Sequence, residues 1–110
     1  MAFPLSAQLL DSLVLSVVEN SDTYGYELTR HIRECTSVSE STLYPVLRRL
    51  LKNGLLECYD KEFLGRNRRY YHITVSGIQA LNGYRKDWEE HKRSVESILI
   101  NRGEEQYGQI

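Results

Sequence analysis

The stretch SESTLYPVLRRLLKNGLLECYDKEFLGRNRRYYHIT, residues 39–74, decides the fold of this chain. It predicts an amphipathic helix that opens with small hydroxyl residues and leads directly into two short strands. The loop between the strands is predicted to carry Arg66, Asn67, Arg68 and Arg69. This order of elements is typical of a winged helix-turn-helix, which presents one helix to a DNA major groove and a basic hairpin to the adjacent backbone.

The helix in this stretch, predicted at about Glu40–Asn53, has a clear apolar face. Its apolar residues recur at i, i+3, i+4, i+7 and i+8, and they are Leu43, Val46, Leu47, Leu50 and Leu51. Either Ser39 or Ser41 is expected to cap its N-terminus, and Gly54 is expected to end it.

Two further helices are predicted upstream, at about Ser6–Glu19 and Tyr24–Cys35. The first has a wide apolar stripe made of Leu9, Leu10, Leu13, Val14, Val17 and Val18. The turn between the two helices contains Asp22 and Thr23, and either residue can cap the second helix. Downstream, Leu55–Asp60 and Tyr70–Thr74 are predicted to pair as strands, with Gly65 at the hairpin tip.

A long last helix is predicted at about Val75–Arg102, followed by a polar tail, Glu104–Ile110. A heptad-like spacing of three and four residues runs along it through Leu81, Tyr84, Trp88, His91, Val95, Ile98 and Arg102. At 1.5 Å per residue the helix is roughly 40 Å long, and the preceding residues are too few to cover it. We therefore expect a homodimer.

The predicted fold class is mainly α with a small β-hairpin. Residues 1–74 are expected to form the winged helix-turn-helix domain, and residues 75–110 the C-terminal dimerisation helix and tail. The dimer interface is expected to comprise Leu9, Leu13, Leu81, Tyr84, Trp88, His91, Val95, Ile98 and Leu99.

Charge is distributed unevenly along the 110 residues, although the net charge is only −1. Residues 41–74 hold seven basic and three acidic side chains, which gives the middle of the chain a local positive face suited to phosphates. No apolar run approaches the roughly 20 residues that span a bilayer, and residues 1–11 do not resemble a signal peptide. We expect a cytoplasmic protein without a membrane partner, in which Cys35 and Cys58 stay reduced.

The residues expected to contact double-stranded DNA lie on the second helix, the third helix and the hairpin. They are Tyr24, Ser39, Ser41, Thr42, Tyr44, Arg48, Arg49, Lys61, Arg66, Asn67, Arg68 and Arg69. Structural roles stay open for some of them: helix capping for one serine, the core for Tyr44, and strand packing for Arg69. Of Tyr24 and Tyr26, one is expected in the core and the other is available to a phosphate.

Trp88 is the only tryptophan, and it lies on the expected dimer seam. Paired indoles can sandwich a small flat aromatic ligand, although a plain interface anchor explains Trp88 equally well. No catalytic arrangement is visible, because His31, His72 and His91 lie on three separate elements and no zinc-ligand spacing occurs. We expect neither an enzyme nor a bound metal or cofactor.

Three segments resemble the PadR family of bacterial and archaeal transcriptional regulators: TYGYELTRHI, STLYPVLRRLLKNGLLE and RRYYHITVSGIQAL. The resemblance implies a homodimeric repressor that reads a pseudo-palindromic operator through the third helix and the wing. It also implies a member of the short subfamily, with a single C-terminal helix. Family effectors include phenolic acids and flat hydrophobic drugs. Tyr24 replaces a common histidine and Ser41 a common glycine, so the base preference is expected to differ. The alternative is a winged-helix protein–protein interaction module without direct DNA binding.

Overall fold

The computed structural model describes residues 5–101, which form helices around a small antiparallel sheet. The helices are α1 (Ala7–Asn20), α2 (Gly25–Ile32), α3 (Glu40–Lys52) and α4 (Val75–Leu99). The strands are β1 (Thr23–Tyr24), β2 (Leu56–Phe63) and β3 (Arg66–Ile73), in the order β1-β3-β2. The predicted fold class, a mainly α winged helix-turn-helix with a hairpin, is confirmed.

Helix α1 lies at the centre of the fold and packs against α2, α3, α4 and β3. Val14, Leu15 and Val18 are its fully buried residues. Leu15 was not part of the predicted stripe, whereas Leu9 and Leu13 of that stripe are only half-buried. The stripe is therefore wider than one core contact requires, and it leaves apolar surface on the N-terminal half of α1.

The predicted apolar face of α3 is confirmed, because Leu43, Val46, Leu47 and Leu50 are all buried. Ser39 is the N-cap, and its Oγ accepts a hydrogen bond from the backbone N–H of Thr42 at 3.2 Å. This satisfies one of the four backbone donors that have no partner within a helix.

The start of α2 differs from the prediction. Neither Asp22 nor Thr23 caps the helix; the N-cap is Tyr24, whose side chain makes no capping bond. Thr23 and Tyr24 instead pair with Tyr71 and Tyr70 as the short strand β1. A strand of two residues is too short to produce a periodic pattern, so the sequence did not indicate it. The helix also ends at Ile32, three residues before the predicted Cys35.

The wing, formed by β2 and β3, is longer than predicted. Arg66–Arg69 do not form a loop; they belong to β3 and pair with Phe63 back to Asp60 on β2. The loop contains only Leu64 and Gly65, whose φ angles are +53° and +80°. Positive φ at both residues is typical of the type I′ turn of a two-residue hairpin. Gly65 thus lies at the tip, as predicted.

The first turns of α4 are part of the core. The backbone of α4 approaches β2 so closely at Gly77 that a Cβ atom there would lie 2.1 Å from the carbonyl oxygen of Leu55. One turn later Leu81 is only 1% exposed. Leu81 is therefore a core residue of the single chain, and its assignment to the dimer interface was wrong, because no side-chain surface is left for a partner.

Helix α4 lies beside α1 as far as about His91, and Arg85 forms an ion pair with Glu19 of α1 at 3.0 Å. The molecule has extents of 69 × 28 × 20 Å. No helix within residues 5–101 is long and apolar enough to cross a membrane. The predicted tail, Glu104–Ile110, and the last predicted seam residue, Arg102, lie outside the described residues.

Candidate nucleic-acid interface

The N-terminus of α3 presents a cluster of hydroxyl groups. The Oγ of Ser39 lies 2.9 Å from the hydroxyl of Ser41 and 3.0 Å from that of Thr42. Ser39 is partly buried and occupied as the cap, whereas Ser41 and Thr42 are exposed. Both exposed hydroxyls can donate and accept hydrogen bonds, so they can reach base edges or phosphate oxygens beside the positive end of the helix dipole.

Tyr44 and Arg48 continue this exposed face one turn further along α3. The Tyr44 ring is 54% exposed, which excludes the core role left open by the sequence. The guanidinium carbon of Arg48 lies 5.3 Å from the centre of that ring, within cation–π range. The contact holds a positive charge beside the tyrosine while both side chains stay accessible.

Arg49 behaves differently from its neighbour Arg48. Its guanidinium forms an ion pair with the carboxylate of Asp11 on α1, and the Asp11 side chain is only 13% exposed. Arg49 therefore links α3 to α1, and a phosphate contact of its guanidinium, which is 42% exposed, stays a prediction.

A groove of about 660 Å³ separates α3 from the wing. Its lining comprises Tyr24, Tyr26, Glu40, Tyr44, Asn67, Arg69 and Tyr71, among others. Of the two tyrosines the sequence could not separate, Tyr24 is half-buried and Tyr26 is 61% exposed. Tyr26 is therefore the one with a hydroxyl available to a ligand, and its position beside Gly25 was the only sequence signal for it.

Strand pairing divides the polar side chains of the wing between two faces. Residues directly opposite in an antiparallel pair share a face, and alternate residues of a strand lie on opposite faces. One face combines cations with aromatic rings: Tyr59, Lys61, Phe63, Arg66, Arg68 and Tyr70. The other face carries Asn67 and Arg69, and Arg69 lies 3.9 Å from the carboxylate of Asp60. The four predicted polar residues therefore do not form one surface, but give the wing a cation on each face.

Arg68 is held between two aromatic rings. Its guanidinium carbon lies 4.2 Å from the ring centre of Tyr24 and 4.2 Å from that of Phe63. Tyr24 also meets Tyr70 edge-on, with ring centres 5.4 Å apart, and Tyr70 stacks on Tyr59. These contacts fix the direction of the wing relative to α2, because stacked rings and a sandwiched guanidinium have few alternative rotamers.

Asp22 ties the turn after α1 to the base of the wing. Its carboxylate accepts hydrogen bonds from the Tyr59 hydroxyl at 2.6 Å and from Nδ1 of His72 at 2.8 Å. Burial raises the pKa of Asp22, but these hydrogen bonds and the His72 charge outweigh it, so the pKa lies below its ordinary value. The hydrogen bond to Asp22 raises the pKa of His72. The sequence did not indicate this cluster, because its members are far apart in the chain.

The match to a known family agrees with this geometry. Residues 14–83 match the model of the transcriptional regulator PadR-like family, a segment that runs from α1 through α3 and the wing into α4. The chain belongs to the PadR family. It is therefore a transcriptional regulator and not an enzyme, as the sequence predicted.

Relatives and solved structures support the assignment to the PadR family. A transcriptional regulator of Mycobacterium tuberculosis is 37% identical over 83 residues, which are 74% of this chain and 78% of the relative. A crystal structure of a Streptococcus mutans protein has a TM-score of 0.85 at 41% identity, and the match covers 90% of this chain and 93% of that one. Bacillus subtilis PadR, solved in complex with operator DNA, has a TM-score of 0.64 at 21% identity, with 72% and 48% covered. At that identity the likeness concerns the fold alone.

The outer part of α4 in this PadR-family chain carries apolar side chains at its surface. Trp88 is 45% exposed, and Val95, Ile98 and Leu99 are exposed as well. A cleft of about 500 Å³ lies where α4 meets the start of α1, and its lining includes Leu9, Tyr84, Trp88 and His91. The structure thus brings together four of the predicted seam residues from two helices, and the predicted ligand residue Trp88 is one of them.

Proposed function

We propose that this PadR-family regulator is a homodimeric repressor that binds a pseudo-palindromic DNA operator through α3 and the wing. The observation that carries the proposal is the alignment of two accessible polar surfaces on either side of one groove. Tyr44 lines the α3 wall of the groove, and Asn67, Arg68 and Arg69 line the wing wall. The exposed side chains of Ser41, Thr42 and Arg48 continue the α3 surface beyond the groove. The B. subtilis PadR that shares this fold was solved with operator DNA, which supports the proposal.

The α3 surface is proposed to read bases in the major groove. Its exposed residues are short hydroxyls and a tyrosine, which can hydrogen-bond to base edges and touch thymine methyl groups. Arg48 is placed one turn later, where a recognition helix meets the phosphate backbone. The wing cations Lys61, Arg66 and Arg68 are proposed to bind phosphates beside the half-site, together with Asn67, Arg69 and the nearby ring of Tyr24.

A homodimer is proposed to form through the outer part of α4 and the half-buried apolar residues in the N-terminal half of α1. The apolar residues proposed for this contact are Leu9, Leu13, Tyr84, Trp88, His91, Val95, Ile98 and Leu99. Exposed leucine, isoleucine and tryptophan along one helix are unfavourable in water and are stabilised by burial against a second copy. In this arrangement residues 1–74 bind DNA and residues 75–110 supply most of the dimer contact, to which Leu9 and Leu13 of α1 add. Two α3 helices would then be about 34 Å apart, the distance between successive major grooves on one side of a duplex.

The dimer is tested by changing one seam residue and one matched residue off the seam. Ile98→Asp is expected to convert the protein to a monomer in light scattering after size exclusion, because a carboxylate would be buried at the contact. Ile100→Asp is the control, since Ile100 is similarly apolar and exposed but is the C-cap of α4, two residues and roughly 200° around the helix axis from Ile98. A wild-type monomer at micromolar concentration would contradict the dimer.

DNA binding is tested by selecting bound duplexes from a random pool and measuring affinity at several salt concentrations. We expect a two-fold symmetric consensus with half-sites one helical turn apart. The logarithm of affinity should fall with the logarithm of salt with a slope of about −0.9 per phosphate contact. Failure to enrich any sequence, together with no salt-dependent binding, would refute the proposal. A repressor on DNA acts where the chromosome lies, so we place the protein in the cytoplasm.

A small aromatic effector is proposed for the cleft beside Trp88. A second copy of α4 would close the open side of this cleft and place a second indole nearby. Titration of flat aromatic compounds while following tryptophan fluorescence tests this, and unchanged fluorescence across a broad panel would refute it.

The alternative, a protein–protein module without DNA binding, would require the wing cations to be neutralised within the chain. Arg69 forms an ion pair with Asp60 at 3.9 Å, but Lys61 and Arg66 are exposed and form no ion pair within residues 5–101, so the DNA-binding function is favoured.

A further inference from the structure

The tip of the wing contains an apolar residue in an unfavourable conformation. Leu64 has a φ of +53° and is the single non-glycine residue with positive φ within the described part of the chain. Its side chain is 88% exposed, more than any other large apolar side chain described. Asparagine, aspartate or glycine normally occupies this position of a two-residue hairpin, because each tolerates a left-handed backbone and each is compatible with water.

Leu64 therefore combines two unfavourable features at one position, a strained backbone and a side chain in solvent. Neither is explained by a contact within the chain, because the tip projects beyond the core: of the β2 residues only Leu56 is buried. The neighbouring Phe63 is fixed by the guanidinium of Arg68, which stiffens the strand end that carries Leu64. The wing thus ends in an exposed apolar side chain, and the strand that leads to it is held in place.

The charges around the tip indicate what it contacts. Arg66 and Lys61 lie on one face of the wing behind the apolar end, whereas Arg69 shares the other face with Asp60 and Glu62. A DNA minor groove fits an apolar end with cations on one side of it, since the groove is about 6 Å wide and is bordered by phosphates that those cations can bind. Proteins that enter this groove often insert a leucine or phenylalanine as a wedge between base pairs.

We propose that Leu64 enters the minor groove beside the half-site read by α3, and that its side chain inserts at a base step. This inference rests on the proposed DNA-binding function and deepens it. Pyrimidine–purine steps unstack most easily, so the selected consensus should favour such a step at the wing position. The preference would arise without any hydrogen bond from the protein to those bases.

Leu64→Asn is the decisive variant, because asparagine tolerates positive φ and keeps the hairpin while removing the apolar side chain. The probe is a duplex enriched from a random pool by the wild-type protein, with 2-aminopurine placed in turn at each step flanking the half-site. For the wild type we expect increased 2-aminopurine fluorescence at one flanking step. For the variant we expect no increase, affinity lower by about tenfold, an unchanged salt slope and a melting temperature equal to or above that of the wild type.

Leu64→Met is the matched control, since it keeps an apolar side chain at the same backbone position, and it should retain most of the affinity and the fluorescence increase. Equal binding of wild type and Leu64→Asn would overturn this inference and leave the proposed function intact. A lower melting temperature of Leu64→Asn, with a reduced salt slope, would also overturn it by showing a structural role. Failure of the wild type to enrich any duplex would instead refute the proposed function itself.

Discussion

The guanidinium carbon of Arg68 lies 4.2 Å from the ring centre of Tyr24, which joins the outer wing to the N-cap residue of α2. The phenylalanine ring of Phe63 closes the other side of the same guanidinium at the same distance. A positive charge that is proposed to face DNA thus also fixes the hairpin that carries it. Arg66, two residues earlier on the same face, has no such ring contact among the described residues.

This difference predicts distinct phenotypes for two neighbouring arginines. Arg66→Ala should weaken binding to all DNA sequences and lower the salt slope by about one, without changing the melting temperature. Arg68→Ala should weaken binding as well, and should also lower the free energy of unfolding by about 1 kcal/mol, because two cation–π contacts are lost. Fluorescence anisotropy at several salt concentrations and thermal melting measure both effects. Identical melting temperatures for the two variants would contradict a structural role of Arg68.

Substitutions of the consecutive residues Arg48 and Arg49 should also have different effects, the first on DNA affinity and the second on stability. Arg48→Ala is expected to reduce DNA affinity with little change in stability, because its contact with Tyr44 lies at the surface. Arg49→Ala should instead reduce the free energy of unfolding by about 0.5–1 kcal/mol, because it leaves the largely buried Asp11 carboxylate without its partner. A double-mutant cycle with Asp11→Ala isolates the ion pair in urea unfolding. Additive effects in that cycle would show that the pair contributes nothing.

Two glycines of α4 allow a matched test of the close approach between α4 and β2. Gly77→Ala should lower the free energy of unfolding by about 2–3 kcal/mol, because the new Cβ would overlap the Leu55 carbonyl and force the backbone apart. Gly83→Ala is the control in the same helix, since no described atom outside the local helix backbone lies within 4 Å of the position that the new methyl group would take. It should raise stability by up to about 1 kcal/mol through helix propensity. Urea unfolding of both variants measures these changes. An unchanged free energy of unfolding for Gly77→Ala would contradict the close approach of Gly77 to Leu55.

The Asp22–His72 pair should make stability depend on pH. His72 has a raised pKa, so its contribution is complete below its ordinary value of 6.5 and is lost as pH rises through the raised value. Asp22 has a lowered pKa, so its contribution is present above its ordinary value of 3.8 and is lost as pH falls through the lowered value. The pair is therefore most stabilising between about pH 4 and pH 6.5.

His72→Gln should remove the alkaline part of this dependence. The groups facing His72 are Asp22 at 2.8 Å, the Tyr59 hydroxyl that shares the Asp22 carboxylate, and Glu57 at 4.0 Å from Nε2. We expect the difference in unfolding free energy between wild type and variant to be larger at pH 5.5 than at pH 8.5. Urea unfolding at the two pH values measures it. Asp22→Asn should abolish the difference, and a difference that persists in that background would assign the effect to another group.

Local patterns in the sequence determined the helices and the order of the elements. The apolar spacing of Leu43, Val46 and Leu50 involves residues three or four apart, which meet on one face of any helix regardless of the rest of the fold. The turn at Gly65 and the positive charge of residues 41–74 were readable for the same reason, since conformational preference and charge belong to the residues themselves. Together with the quoted motifs, these patterns were sufficient to predict a winged helix-turn-helix.

Only the tertiary structure decided how individual side chains are used. Strand register put Arg68 and Arg66 on one face and Arg69 on the other, although all three lie in one short run of sequence. The packing of α1 against α3 brought Asp11 to Arg49, and the packing of α4 against α1 placed Leu81 in the core. The contacts of Asp11 with Arg49 and of Leu81 with the core join residues tens of positions apart, and the faces of the three arginines depend on the pairing of β2 with β3. Such contacts are set by how the elements pack, and the periodicity of a single segment does not predict them.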